Sequence, residues 1–423
     1  MDTTAPQNTF HQLTHCTECG ALVSVPNLVA RQTAECPRCH HTLKSADRWS
    51  LKRCAFIALS ILILMPFALK FPLISINLLG SPIHASVWDG VWKMATAGFP
   101  YTAFLVFLCA IVTPVFFALL VLLLRISQML NIKPRNVLLT INYLKPWVML
   151  DVYLVSIGVA AFKVREYADL HIDIYLIAFV FTALLTTLLF IKINPKALWN
   201  DFYPEHQHIQ NMSEQNALCC CTNCEYSFEH AILNRKNQPT CPRCLHRINI
   251  DDSLILQGTW ATLIAGIIML IPANLLPISS IYLAGAPSAD TLMSGVISFI
   301  NMGSYFVAFV VFTASIFVPI SKILIMIYLL LSVHFQWRHS IKWQMRLLHI
   351  VHFVGRWSML DLFVLALMMS LVTRGQIITF SVGPAALYFG AAVFLTMIST
   401  SLFDSRLLWK IYDKQYSNTG TKH

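Results

Sequence analysis

Charge is scarce in this chain. Asp, Glu, Lys and Arg make up 12% of its 423 residues, against about 25% in an ordinary soluble domain. The length alone would allow two or three soluble domains, and the deficit excludes them. Catalytic signatures are missing as well. There is no phosphate-binding GK[ST] loop, no HExxH and no Ser-His-Asp pattern, so the sequence offers neither a nucleotide-driven engine nor a hydrolase. The expectation is a protein that is not an enzyme. The first fifty residues are polar. No cleavable signal peptide is therefore expected, and the first apolar run serves as the insertion signal.

Apolar residues are abundant, at 57%, and they come in blocks long enough to cross a bilayer, which takes roughly 20 helical residues. Eight spans are expected, near 54–76, 101–124, 146–163, 174–193, 258–283, 304–332, 350–372 and 382–402. If both termini are cytoplasmic, the segments on that side hold 23 of the 30 Lys and Arg. The outer side holds Lys93, Lys163, Arg165 and Arg374, while Lys70, Lys322 and Arg356 fall within spans or at their edges. That asymmetry fixes the orientation. The net charge of +10 is thus a signature of topology, and no nucleic-acid partner is expected.

The chain repeats itself. Cys16-Thr-Glu-Cys19 and Cys36-Pro-Arg-Cys39 return as Cys221-Thr-Asn-Cys224 and Cys241-Pro-Arg-Cys244, offset by 205. The echo continues outside the cysteines. Residues 64–80 resemble 270–285, Pro114 matches Pro319, WVMLDVYLV from Trp147 matches WSMLDLFVL from Trp357, and Leu198-Trp199 returns as Leu408-Trp409. Four spans per half is an even number, so the halves enter the membrane in the same sense. The expected fold is an α-helical polytopic membrane protein of two parallel repeats, each a small β-rich zinc ribbon followed by a four-helix unit. The boundaries read as 1–48 (first ribbon), 49–200 (first membrane unit), 201–250 (polar linker and second ribbon), 251–410 (second membrane unit) and 411–423 (tail).

Ten of the twelve cysteines fall on the side read as cytoplasmic or at its edge. Thiols stay reduced in that compartment, so paired CxxC motifs there read as metal sites. Four thiolates close a tetrahedral shell around zinc and leave no position open, which makes two structural zinc sites the expectation. The ligands are Cys16, Cys19, Cys36 and Cys39, then Cys221, Cys224, Cys241 and Cys244. Cys219 and Cys220 create a frame ambiguity that the spacing resolves toward Cys221. Leu22, Val23 and Val25 have strand character. His15, His40, His41 and His246 flank the cysteines as exposed neighbours, and a redox role would need one pair at a helix start. Cys54 and Cys109 read as small apolar packers.

Ionisable groups inside spans are costly. Asp151 and Asp361 hold matching places four residues after a Trp, and each has a bland reading as the partner of a base at the cytoplasmic edge. Eleven residues separate Lys322 from His334, placing the lysine deep in an apolar run. Asp361 on the next span is its natural partner, with Ser358 one turn earlier on the same face. The expected intramembrane polar cluster is Lys322, Asp361 and Ser358, with Asp151 and, more weakly, Thr396. Prolines repeat at 66 and 72, 114, 272 and 277, and 319. Matching interruptions in two halves mark a moving or binding region in transporters, although kinks for packing would look alike. On the outer side, Trp88 and Trp92 are four apart, as an interfacial anchor or a docking edge for a periplasmic partner would be.

The CPRC knuckles before each half, IPANLLPISSIYLAG, WVMLDVYLV, GRWSMLDLFV and GPAALYFGAAV together resemble the paraquat-inducible protein A family, from Cys16 to about Trp409. The resemblance implies a bacterial inner-membrane component working with a periplasmic MCE-domain protein, whose stacked rings form a tunnel, to move phospholipids between membranes. It also implies tetraspanin-like four-helix units. Two other readings stay open: a membrane-anchored scaffold whose ribbons bind a cytoplasmic partner, and a small-ion or drug transporter. Eight broken spans exceed what an anchor needs, and the spans carry few polar residues for an aqueous pore.

Overall fold

The structure is a computed structural model. It describes residues 12–16, 18–25, 28–29, 32–45, 49–78, 81–165, 169–204, 219–221, 223–224, 226–228, 232–233, 238–248, 252–283, 286–301, 303–337, 341–372 and 378–419. Arg374, the middle of the linker and the last four residues lie outside the described residues.

Among the described residues each repeat has eight α-helices in matching order. The first contains α1 (Leu51–Lys70), α2 (Val87–Thr96), α3 (Pro100–Phe107), α4 (Thr113–Met129), α5 (Arg135–Leu144), α6 (Leu150–Arg165), α7 (Tyr175–Lys192) and α8 (Pro195–Phe202). The second contains α9 (Asp252–Leu275), α10 (Leu292–Asn301), α11 (Tyr305–Phe312), α12 (Val318–His334), α13 (Ile341–Val354), α14 (Leu360–Val372), α15 (Ala385–Leu402) and α16 (Ser405–Thr419). Eight helical stretches among the described residues are long and apolar enough to cross a membrane: α1, α3–α4, α5–α6, α7 and their counterparts. This is a multi-pass membrane protein.

The spans differ from the expected ones at two kinds of place. The first and fifth end early, because Pro72 and Pro277 push the residue before them out of the helical region. The residues that follow form strands Ile74–Leu78 and Ser279–Leu283, with Ile74, Ile76, Ile281 and Tyr282 supplying the strand-favouring side chains. Each strand is central in a three-stranded antiparallel sheet, flanked by Ser81–Ala85 and Asp169–Ile172 in one repeat and by Ala286–Asp290 and Ile378–Val382 in the other. These two sheets were not foreseen. The pattern had suggested strands only in the ribbons, since a few further apolar residues after a long span read as more span. The third and seventh spans begin earlier than expected, because α5 and α13 are amphipathic entries that precede the apolar run.

The repeated prolines act in two ways. Pro66 and Pro272 remain inside α1 and α9. Pro114 and Pro319 each follow one turn of π-helix, Leu108–Val112 and Thr313–Phe317. A wider turn accommodates the proline ring and its missing donor. In the first repeat the Thr113 hydroxyl lies 2.9–3.0 Å from the carbonyls of Leu108, Cys109 and Trp147, tying that turn to the next span. The third spans are interrupted too, by 3₁₀ turns at Lys145–Trp147 and Gly355–Met359.

The repeats meet along α6 and α14. The short helix α2 is capped by Ser86, which accepts from the Asp89 N–H at 3.1 Å, and it packs on α14. Gly90 permits this approach: a Cβ there would stand 2.5 Å from the Ala366 carbonyl oxygen. Lys93 Nζ donates to the Ser370 carbonyl at 2.7 Å, one turn farther along α14.

Candidate metal centres and intramembrane polar cluster

Both four-cysteine groups form. In each, the four sulfurs lie within 4.8 Å of one another. The Cys16–Cys39 and Cys19–Cys36 sulfurs are 3.5 and 3.6 Å apart, and the Cys221–Cys244 and Cys224–Cys241 pairs repeat those values. Local backbone geometry produces this. Cys16 and Cys36 donate their N–H to the carbonyls of Ala21 and His41, and Cys221 and Cys241 to Tyr226 and His246, all at 2.8–3.0 Å. Three of the tight turns place a left-handed residue after their second cysteine. Gly20 takes φ +70° without cost, whereas His40 and Leu245 adopt φ near +58°, a conformation that asks a non-glycine residue for strain. Val23 and Val25 lie in the strand Leu22–Val25, which pairs with Gln12–His15 across the first cysteine turn.

The flanking histidines stay outside these groups. His15 turns Nδ1 to the Gly20 carbonyl at 3.0 Å. Packing four thiols together sets their acidities against each other. Burial pushes Cys19 up to about 12. At Cys36 burial also raises the pKa, but the N–H groups of Cys39 and Arg38 outweigh it and the net shift is downward. In the second group, hydrogen bonds among the thiols raise Cys224 and lower Cys221. A bound cation removes this conflict, because it compensates all four thiolates at once. The arrangement is competent to bind a metal ion at both places.

Inside the membrane part, the expected polar residues are buried but not joined as expected. Lys322, Ser358, Asp361 and Thr396 are all less than a tenth exposed. The Lys322 ammonium makes no hydrogen bond among the described residues, and no ion pair joins it to Asp361 there. It rests instead on Gly355, where an added Cβ would stand 3.3 Å from Nζ. Ser358 Oγ donates to the Gly355 carbonyl at 2.8 Å, so Lys322 and Ser358 converge on one glycine in the 3₁₀ turn just ahead of Asp361. Thr396 donates to its own helix at Val393, 3.0 Å away.

Asp151 belongs to a different contact. Arg356 Nη2, from the other repeat, donates to its carboxylate at 2.7 Å. The guanidinium also stands 5.2 Å from the Phe190 ring centroid, and Lys145 Nζ lies 4.8 Å from the same ring. Two residues that sequence reasoning missed are Gly355 and Ser315. The Ser315 hydroxyl is buried without a partner among the described residues, on the π turn of the sixth span. Its spacing of seven from Lys322, two helical turns on one face, was the available signal.

The sequence signature described as Paraquat-inducible protein A matches residues 51–203 and 256–413. A "Probable intermembrane transport protein" of Haemophilus influenzae is 66% identical over 403 residues, 95% of this chain and 96% of that one. The "Lipophilic envelope-spanning tunnel protein A" of Escherichia coli strain K12 is 42% identical over 398 residues, 94% of this chain and 91% of its own length. "Intermembrane transport protein PqiA" of the same strain is 30% identical over 402 residues, covering 93% and 94%. No solved structure matches the chain. With both halves matched and relatives aligned almost end to end, the chain belongs to the paraquat-inducible protein A family.

Proposed function

We propose that this protein is the inner-membrane subunit of a lipid transport system, passing phospholipid between the inner membrane and a periplasm-spanning tunnel of MCE-domain protein. The carrying observation is that the buried Lys322 ammonium meets the Gly355 turn, which interrupts the third span of the second repeat just ahead of the buried Asp361; a Cβ at Gly355 would stand 3.3 Å from Nζ. A buried charge on broken helices is what a substrate or proton path requires, and a purely structural bundle would avoid it. The relatives named for intermembrane transport and for an envelope-spanning tunnel support the same reading.

In this reading the termini and cysteine clusters face the cytoplasm, as the Lys and Arg distribution favours. The two three-stranded sheets then face the periplasm, along with Trp88 and Trp92, which are 47% and 64% exposed. Both clusters hold zinc in a structural role. A tetrahedral shell with zinc–sulfur bonds of about 2.3 Å has edges of about 3.8 Å, close to the sulfur separations of 3.5 and 3.6 Å. No catalytic step is assigned to the protein. Lys322 and Asp361 are the residues proposed to couple lipid movement to a change of conformation, with Ser358, Ser315 and Thr396 lining the same region.

The test is capture of the tagged full-length chain from native membranes, with mass spectrometry of proteins and lipids. An MCE-domain partner recovered together with phospholipid supports transport. Recovery of cytoplasmic proteins alone, lost when the clusters are disrupted, would replace this reading with a membrane-tethered scaffold.

A further inference from the structure

The two clusters carry the same arginine in the same place, Arg38 in Cys36-Pro-Arg-Cys39 and Arg243 in Cys241-Pro-Arg-Cys244. Arg38 pairs with Asp413 and stands 4.5 Å over the Trp409 ring and 6.0 Å from Tyr412. All three lie on α16, the closing helix of the second repeat. Arg243 stands 5.7 Å over Trp199 and donates to Asn200 Oδ1 at 2.8 Å, both on α8, the closing helix of the first repeat. Trp199 and Trp409 are themselves equivalent and buried. The apolar cores agree with this pairing. Cys16, Cys19 and Cys36 share a core with Leu263, Met326 and Trp409, whereas Cys221, Cys224 and Cys241 share one with Trp199. The unit of the sequence is a cluster followed by four spans. The unit of packing is four spans closed by the cluster that begins the other half.

We infer that each cluster is a metal-dependent latch, whose CPRC arginine holds the closing helix of the opposite sequence half: the first cluster holds α16 and the second holds α8. The arginine sits between two metal-binding cysteines, so its position is set by the turn that the metal closes. A knuckle this small has too little core to keep that turn unaided. Arginine suits the task because a planar guanidinium stacks on indole while its edge reaches a carboxylate or amide. Only two residues separate α7 from α8 and α15 from α16, so each latch also fixes the end of a fourth span. The inference rests on the clusters binding metal and is independent of what the protein transports.

Hydrogen exchange with mass spectrometry on the full chain in detergent or nanodiscs tests it, with metal content measured on the same samples. Cys16→Ser is expected to speed exchange of α16 about tenfold while leaving α8 unchanged, and Cys221→Ser to do the reverse. Chelation should release both helices. Arg38→Ala and Arg243→Ala, which keep all four thiols, should reproduce the two helix-specific effects with metal still bound. A helix that exchanges equally fast with and without metal would overturn the inference. So would either arginine substitution releasing both helices, or neither.

Discussion

Tyr153 and Phe363 occupy the same position in the two repeats and pack against each other, ring centroids 5.1 Å apart, where α6 meets α14. Both rings are fully buried. A contact between equivalent residues is what a pseudo-twofold interface places on its axis. The Tyr153 hydroxyl has no partner among the described residues, so the phenol oxygen contributes nothing that a phenyl ring lacks. Tyr153→Phe should therefore be neutral or stabilising. Tyr153→Ala and Phe363→Ala should each cost about 3–5 kcal/mol by emptying the space between repeats. Thermal unfolding in detergent would distinguish the two classes, and a Tyr153→Phe variant as damaged as Tyr153→Ala would contradict this account.

Asp151 and Arg356 join the repeats a few residues away. Their side chains are 29% and 19% exposed, so the pair is partly desolvated and worth more than a surface ion pair, about 1–3 kcal/mol for a charge-assisted bond. Asp151→Asn and Arg356→Gln should each lower the melting temperature, and the double variant should be less destabilised than the sum of the two. Additive losses would mean that the two groups do not interact.

Much of this architecture was legible in the sequence, for physical reasons that can be traced residue by residue. Spans and cysteine clusters were readable because bilayer thickness and tetrahedral sulfur coordination impose lengths and spacings on any chain. The two sheets were hidden because Ile74 and Ile76 continue the apolar character of the helix before them, and Pro72 was grouped with the prolines that interrupt spans rather than read as one that ends a span. The Arg356 contact was hidden because Asp151 was grouped with Lys322 and Asp361, and spacing along the chain carries no trace of α6 meeting α14. Lys322 was recognised as buried. Its rest on Gly355 depends on a backbone approach that only a glycine allows, and spacing carries no trace of that.

Metal binding should depend on pH in a direction set by the thiols. Cys19 is pushed up to about 12 by burial, so at neutral pH a bound cation must displace its proton. Protons and metal then compete, and affinity falls as pH is lowered. Elemental analysis after equilibration should find two metal ions per chain at pH 8 and progressive loss on acidification. Cys36→Ser and Cys241→Ser should each remove one ion. Retention of both ions in either variant would mean that the clusters are not the binding sites.

Lys322 separates stability from function. Its ammonium is 3% exposed as a residue and has no hydrogen bond among the described residues, so in the fold it is a cost, because a desolvated polar group without compensation destabilises by several kcal/mol. Lys322→Met keeps the length of the side chain and removes that cost. The protein should melt higher and insert normally while losing transport, measured as lipid delivered to an acceptor in reconstituted membranes. Gly355→Ala probes the same place from the other side. The added methyl group would stand 3.3 Å from Nζ, close enough to force the flexible lysine end aside, and should cost about 1 kcal/mol while impairing transport through the displaced ammonium. If Lys322→Met destabilises the protein, the lysine has a structural partner and its assignment to transport fails. If the variant is stable and fully active, the charge is dispensable and the path lies elsewhere among the interrupted spans.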